Sequence, residues 1–185
     1  MSATETRLAL IHAQSLSAAL IRELAPACVR ICVAGSIRRR QPTIGDIEIV
    51  AIPAERPRLL IGRPATPLDE VLIGLEGAGR LERLHWGPKG RRFFVPDGPC
   101  NLDLHLCTPE TWACCLLIRT GPAAFGHRLV TPRRLGGWMP DRLRMQDLRL
   151  VSQIPGALAG VPLATPEEED VFGVLGIDYL QPWER

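Results

Sequence analysis

Hydrophobic and polar positions alternate most cleanly in two short runs of this chain. In Asn101-Leu102-Asp103-Leu104-His105-Leu106 the three leucines fall on one face and the polar residues on the other. That period of two is the signature of a strand with one buried face. In Asp46-Ile47-Glu48-Ile49, continuing through Val50-Ala51-Ile52 to Pro53, Ile47 and Ile49 share one face and both acids the other. Longer periods mark helices. Within residues 4–25, Leu8, Leu10, Ile11, Leu16, Ala19, Leu20, Ile21 and Leu24 keep close to helical spacing, and Pro26 ends the run. Residues 29–34 follow as a strand that delivers the chain to Gly35. Residues 68–78 predict a second helix with Leu68, Val71, Leu72 and Leu75 on one face and Gly77 and Gly79 at its end. Between residues 54 and 67, Pro57, Pro64 and Pro67 predict an irregular connector. Residues 81–86 and 91–95 flank Gly87-Pro88-Lys89-Gly90, a hairpin signature.

From Pro109 the character changes. Residues 110–119 predict a helix carrying Trp112, Leu116 and Leu117, broken by Thr120-Gly121-Pro122, and residues 123–130 a shorter one. Residues 142–145 and 148–151 read as a tight hairpin turning at Gln146-Asp147. Thr165-Pro166-Glu167-Glu168 reads as a helix start, with Thr165 as N-cap, Pro166 at N1 and Glu168 at N3, running to about Leu175 before Gly176. This order of elements predicts an α+β protein. Residues 1–108 form a mixed β-sheet with flanking helices, and residues 109–185 a small α/β domain.

Composition changes this picture little. At 185 residues with 46% apolar positions, the chain can bury a sizeable core in one domain or two small ones. The net charge of +2 hides a bias in kind, since Lys89 is the single lysine among 22 basic residues. Arginine binds phosphate through a planar fork, so the bias is compatible with a nucleic-acid partner, and equally with a GC-rich coding sequence. The six cysteines form no C-x-x-C pair and are read as reduced, buried small hydrophobes. No stretch resembles a signal peptide or approaches ~18 uninterrupted apolar residues. The expectation is a soluble, cytoplasmic monomer with no membrane partner.

The candidate chemistry begins at Gly35-Ser36-Ile37-Arg38-Arg39-Arg40. A small polar turn beside three arginines suits an anion, most naturally phosphate, though the same residues also suit an exposed basic loop. Asp46 and Glu48 then point the same way from one strand and repel each other unless a cation lies between them. Asp103 stands in the middle of the other alternating strand. If that strand lies beside Asp46 and Glu48 with its acid on the same face, three carboxylates converge. Such a set can hold two Mg²⁺ ions about 3.5–4 Å apart, with Ser36 and Arg39 gripping the outer phosphates of a nucleoside triphosphate. Taken singly, Asp46 and Glu48 suit a solvated face, and Asp103 can pair with Arg91 or Arg92 across a neighbouring strand.

Gly35-Ser36-x-Arg38-Arg39, followed by Gly45-Asp46-x-Glu48 and Leu102-Asp103-Leu104, resembles the palm of the X family of DNA polymerases. Downstream, Thr120-Gly121 with Phe125 is similar to that family's helix junction facing the incoming nucleotide. The stretch from Leu163 to Phe172, with Leu175-Gly176 and residues 179–185, is similar to its thumb terminus. The resemblance implies a palm over residues 1–108 and a thumb over 109–185 that contacts nucleotide and DNA. It implies that Asp46 and Glu48 bind two Mg²⁺ or Mn²⁺ ions, and that Asp103 binds the catalytic one and helps deprotonate a primer 3′-hydroxyl. Gly35, Ser36, Arg39 and Gly45 would meet the triphosphate, and Thr120 and Gly121 the nucleotide. The implied activity is DNA-directed DNA synthesis on a primer-template or gapped duplex with release of pyrophosphate, as in short-gap repair.

The chain departs from the family at named positions. Glu48 replaces a usual Asp, Ile118-Arg119 an aromatic pair that disfavours ribonucleotides, and Gly126 a polar residue facing the base. Asn101 stands where an arginine commonly supports the third carboxylate. The few residues before Thr4 leave no room for the family's lyase and helix-hairpin-helix modules. The expectation is no deoxyribose-phosphate lyase activity and a weak hold on upstream duplex. His85, His105 and His127 lack metal-ligand spacing, and Trp112, Phe125, Trp138 and Phe172 are read as core of the second domain. Arg119, Arg128, Arg133, Arg134, Arg142, Arg144 and Arg149 gather there, as a solvated basic face or a DNA-backbone surface. Two rival readings stay open: nucleotide transfer to an RNA end, protein or small molecule, and a catalytically weak DNA-binding module.

Overall fold

Ile47, Ile49, Leu102, Leu104 and Phe93 are completely buried, and they define the inner face of a five-stranded sheet. The computed structural model describes residues 7–55, 58–60, 63–153 and 160–185. The chain divides into two compact units, Met1–Cys107 and Thr108–Arg185.

The first unit begins with a short strand β1 (Leu8–Ala9) and helix α1 (Leu10–Leu24). Strand β2 (Cys28–Val33) leads into a single helical turn α2 (Gly35–Arg38), and β3 (Thr43–Ile44) into β4 (Asp46–Pro53). A small hairpin, β5 (Arg58–Leu60) and β6 (Arg63–Ala65), precedes helix α3 (Pro67–Gly77). Strands β7 (Glu82–Gly87), β8 (Gly90–Val95) and β9 (Cys100–Leu106) complete the unit. The sheet order is β2-β4-β9-β8-β7, antiparallel at every step except the central pair β4–β9, which is parallel. A parallel pair needs a long crossover, and the chain from β5 to β8 supplies it.

Period-two alternation sends Ile47, Ile49 and Ala51 inward, together with Leu102 and Leu104 from β9 and Phe93 and Val95 from β8. Ala13, Leu20 and Leu24 of α1 and Leu68, Leu72 and Leu75 of α3 cover them. Each fully buried Leu or Ile contributes about 1.5–3 kcal/mol, so this one layer fixes the strand faces. A one-residue slip would carry the acids into the core. The first unit is therefore a mixed sheet with flanking helices, compatible with a nucleotidyltransferase palm.

The second unit holds helices α4 (Trp112–Thr120) and α5 (Ala123–Val130), and a small antiparallel sheet. That sheet is β10 (Leu143–Gln146), β11 (Arg149–Ser152) and β12 (Val161–Pro162), and helix α6 (Glu168–Leu175) follows it. Trp112, Phe125 and Phe172 are buried in this unit, while Trp138 is half-buried and packs edge-on against Phe125 at 5.2 Å. Arg185 is sealed inside, its guanidinium 2.8 Å from the buried Glu168 carboxylate and stacked over Phe125, Phe172 and Tyr179. All six cysteines are free thiols.

Several boundaries differ from the sequence-based expectation. The opening helix starts at Leu10, because Leu8 and Ala9 pair with Ile44 and Thr43 as a strand; residues 4–6 lie outside the described residues. The connector expected to be irregular contains the β5–β6 hairpin, in which Pro64 sits opposite Leu59, and Pro57 lies outside the described residues. The β10–β11 turn falls at Asp147-Leu148, one residue later than expected. Both residues have positive φ, the two-residue geometry whose twist matches antiparallel strands. Helix α6 starts three residues after Thr165. Glu167 and Asp170 close a reciprocal capping box, with the Glu167 amide donating to Asp170 Oδ2 at 2.9 Å, so the cap settles there.

Candidate active site

The turn after β2 is built around Glu48. The Ala34 amide donates to the Glu48 carbonyl at 2.8 Å, which ties the end of β2 to the acid-bearing strand. Gly35 then adopts φ +58°, and a Cβ there would stand 2.0 Å from Glu48 Oε2. A side chain there would bear a strained backbone angle and would force the Glu48 side chain to move. The next side chain, Ser36, is inward: its Oγ is buried and has no hydrogen-bond partner among the described residues. An unpaired buried hydroxyl costs about 1–3 kcal/mol, so a partner from outside the chain is expected. Ser36 lines an open cleft of about 660 Å³ with Arg7, Thr43, Gly45, Asp46, Arg92 and Asn101. At Gly45 an added Cβ would meet nothing within 4 Å, which leaves that wall of the cleft open for close approach.

Strand register decides whether the acids converge. In the parallel β4–β9 pair, Glu48 is opposite Asp103 and Asp46 is opposite Asn101. Paired residues share a face, so all three carboxylates stand on the side of the sheet away from α1 and α3. Neighbouring strands lie about 4.8 Å apart and alternate residues about 7 Å, a spacing that side-chain rotation can close around a small cation. Asp103 and Glu48 each stand beside a basic side chain. Asp103 Oδ1 is 2.8 Å from Arg92 Nε. Glu48 Oε1 is 3.8 Å from His105 Nε2, a buried ring nitrogen with no hydrogen bond among the described residues. Among the described residues no three His, Cys, Asp or Glu side chains are gathered in a ligating cluster. The donor set itself fits a hard divalent cation: three carboxylates with no thiolate among them.

Arg39 is half-buried beside these acids. Burial pulls its guanidinium below the ordinary value, and the charges of Glu48 and then Asp46 offset part of that. It stays protonated regardless, so its charge is fixed next to the cleft. Thr120 and Gly121 belong to the second unit. Thr120 ends α4 fully buried, and a Cβ on Gly121 would stand 2.3 Å from the Phe125 ring.

Of the two partners open to Asp103, the structure selects Arg92. Alternation along β8 sends Arg91 to the opposite face, where it pairs with Asp69 at 2.8 Å and stacks on Trp86 at 4.3 Å. Sequence reasoning named Arg91 and Arg92 as alternative partners of Asp103 and left open which of them reaches it. The period-two pattern of Arg91-Arg92-Phe93 held the signal, but not which strand lay alongside. Arg7 as a wall of the cleft had no signal in the sequence.

No family model matches the chain. DNA polymerase lambda of Rattus norvegicus is 28% identical over 172 residues, an alignment covering 84% of this chain and 28% of that protein. The chain thus spans little more than a quarter of the length of the curated relative it matches. Among the described residues, no helix is long and apolar enough to cross a membrane.

Proposed function

We propose that this protein is a nucleotidyltransferase of the DNA polymerase X type, joining a nucleoside triphosphate to the 3′-hydroxyl of a DNA primer. The observation that carries the reading is the parallel register of Glu48 with Asp103, which brings Asp46, Glu48 and Asp103 to one face beside a Ser36 hydroxyl that has no partner among the described residues. The distant similarity to DNA polymerase lambda supports it at the level of the family.

Asp46, Glu48 and Asp103 would hold two Mg²⁺ or Mn²⁺ ions, whose chemistry is to acidify the attacking hydroxyl and to neutralise charge on the triphosphate. Ser36 Oγ donates to a phosphate oxygen, and Gly45 lets the phosphates approach the backbone. Arg39 supplies a fixed positive charge. Asp103 takes the proton from the primer 3′-hydroxyl. The new bond joins that oxygen to the α-phosphorus, the α–β phosphoanhydride breaks, and pyrophosphate leaves. Glu48, one methylene longer than Asp, is opposite Asp103 in the strand pair and would reach a shared cation from there. The part of Thr120 and Gly121, in the second unit, rests on the resemblance alone, as do a thumb role for residues 109–185 and short-gap repair as the setting.

Extension of a labelled primer on gapped and intact duplex, with each nucleotide and each metal, tests the reading beside an Asp103→Asn control. Templated extension that disappears in the control supports it. Transfer to RNA or to a small acceptor, without primer extension, favours a different acceptor. DNA binding without transfer leaves a binding module.

A further inference from the structure

We infer that Arg92 is a positioning residue for Asp103, holding one carboxylate oxygen in place while opposing the cation that the same acid must bind. The inference rests on the function proposed above. Arg91 and Arg92 are adjacent on β8, and alternation gives them separate tasks. Arg91 is consumed in the buried pair with Asp69. Arg92 is directly opposite Asp103 in the antiparallel β8–β9 register, where facing Cβ atoms lie about 5 Å apart. Its Nε reaches Oδ1 at 2.8 Å, and among the described residues Asp103 makes no other ion pair.

Three features separate this contact from an ordinary cross-strand pair. Arg92 lines two clefts, the one containing Ser36, Gly45 and Asp46 and another containing Asp103 and His105. Its side chain is 47% exposed and that of Asp103 is 21% exposed, so the pair sits at the mouth of the site rather than in the core. Asn101, two residues before Asp103 on the same strand and face, carries an amide that provides no charge, and the guanidinium on Asp103 is that of Arg92.

Two opposite consequences follow from one contact. Gripping Oδ1 fixes the carboxylate orientation and leaves Oδ2 for a cation and a proton. The guanidinium charge also repels an approaching divalent ion. Removing Arg92 therefore tightens cation binding and slows turnover, a combination that loss of structure does not produce.

The test measures Mn²⁺ binding by electron paramagnetic resonance on the full chain without nucleotide, and primer-extension kinetics on the same samples. For Arg92→Ala the expected Mn²⁺ affinity rises about tenfold, the size of one partly screened unit charge at close range. The expected kcat falls about tenfold with nucleotide KM within about twofold, the pattern of an interaction needed only in the transition state. Arg92→Lys returns Mn²⁺ affinity to the wild-type value, because the charge is restored, but recovers kcat only in part, because the fork is not. Unchanged or weaker Mn²⁺ binding in Arg92→Ala, or tighter binding with unchanged kcat, overturns the inference. Failure of the wild-type protein to bind Mn²⁺ overturns both the inference and the function it rests on.

Discussion

The Glu48 carboxylate occupies the space that a side chain on Gly35 would need, with Oε2 2.0 Å from an ideal Cβ position. The phosphate-type turn and the acid strand are thus one packed unit. Gly35→Ala must move Glu48 and also bear a left-handed backbone angle. The expected stability loss is about 1–2 kcal/mol in urea unfolding, with transfer activity falling by more than that destabilisation explains. A Gly35→Ala protein with unchanged activity would show that Glu48 is free to relocate without cost.

Asp69 does two jobs at once. It closes the capping box with Thr66 at the start of α3, and it neutralises Arg91 under the sheet, with side chains only 9% and 8% exposed. Breaking a buried pair from one side leaves an uncompensated charge, so Arg91→Ala is expected to cost about 3–5 kcal/mol. Asp69→Asn should cost as much, since it strands the Arg91 charge and leaves one oxygen to serve both the arginine and the cap. Chemical denaturation of the two variants, compared with Arg92→Ala, checks the order: Arg92 is half-exposed and its removal should change stability by less than about 1 kcal/mol.

Leu148 sits at φ +58° in the β10–β11 turn, a conformation that non-glycine residues adopt at a cost. Leu148→Gly is expected to stabilise the second unit by about 0.5–1 kcal/mol, read as a higher unfolding midpoint. A lower midpoint would mean that the partly buried leucine side chain contributes more than the strain removes.

Local patterning carried much of this protein. The alternation in residues 46–49 and 101–106 was enough to assign both strands and the face on which Asp46, Glu48 and Asp103 stand. It could not say that the strands are neighbours or parallel, because register is settled by the long crossover and by the helices packed on Ile47, Ile49, Leu102 and Leu104. It left Asp103 with two candidate partners, Arg91 and Arg92, and could not show that His105 stands near Glu48 across the strand pair. The errors in boundaries have similar causes. The prolines near residue 60 masked a hairpin that pairs around Pro64, and Thr165 lost the cap of α6 to a carboxylate pair at Glu167 and Asp170.

Arg144 on β10 and Arg142 in the turn just before it are both exposed. If they meet a DNA backbone, Arg142→Ala combined with Arg144→Ala weakens binding similarly for all sequences. The slope of log affinity against log salt should become shallower by about 2. Fluorescence anisotropy across a salt series reads this directly, and an unchanged slope would assign these arginines to a solvated face.

The central claim is that Asp46, Glu48 and Asp103 act together as one divalent-cation-dependent transfer site. Incorporation of an α-labelled nucleotide into a gapped primer, by the wild-type protein and by Asp46→Asn, Glu48→Gln and Asp103→Asn, tests it most directly. The account predicts metal-dependent incorporation by the wild type and a loss on the order of a hundredfold or more in every variant, with unfolding midpoints little changed. Incorporation that survives in Asp103→Asn, or that needs no divalent cation, would contradict it.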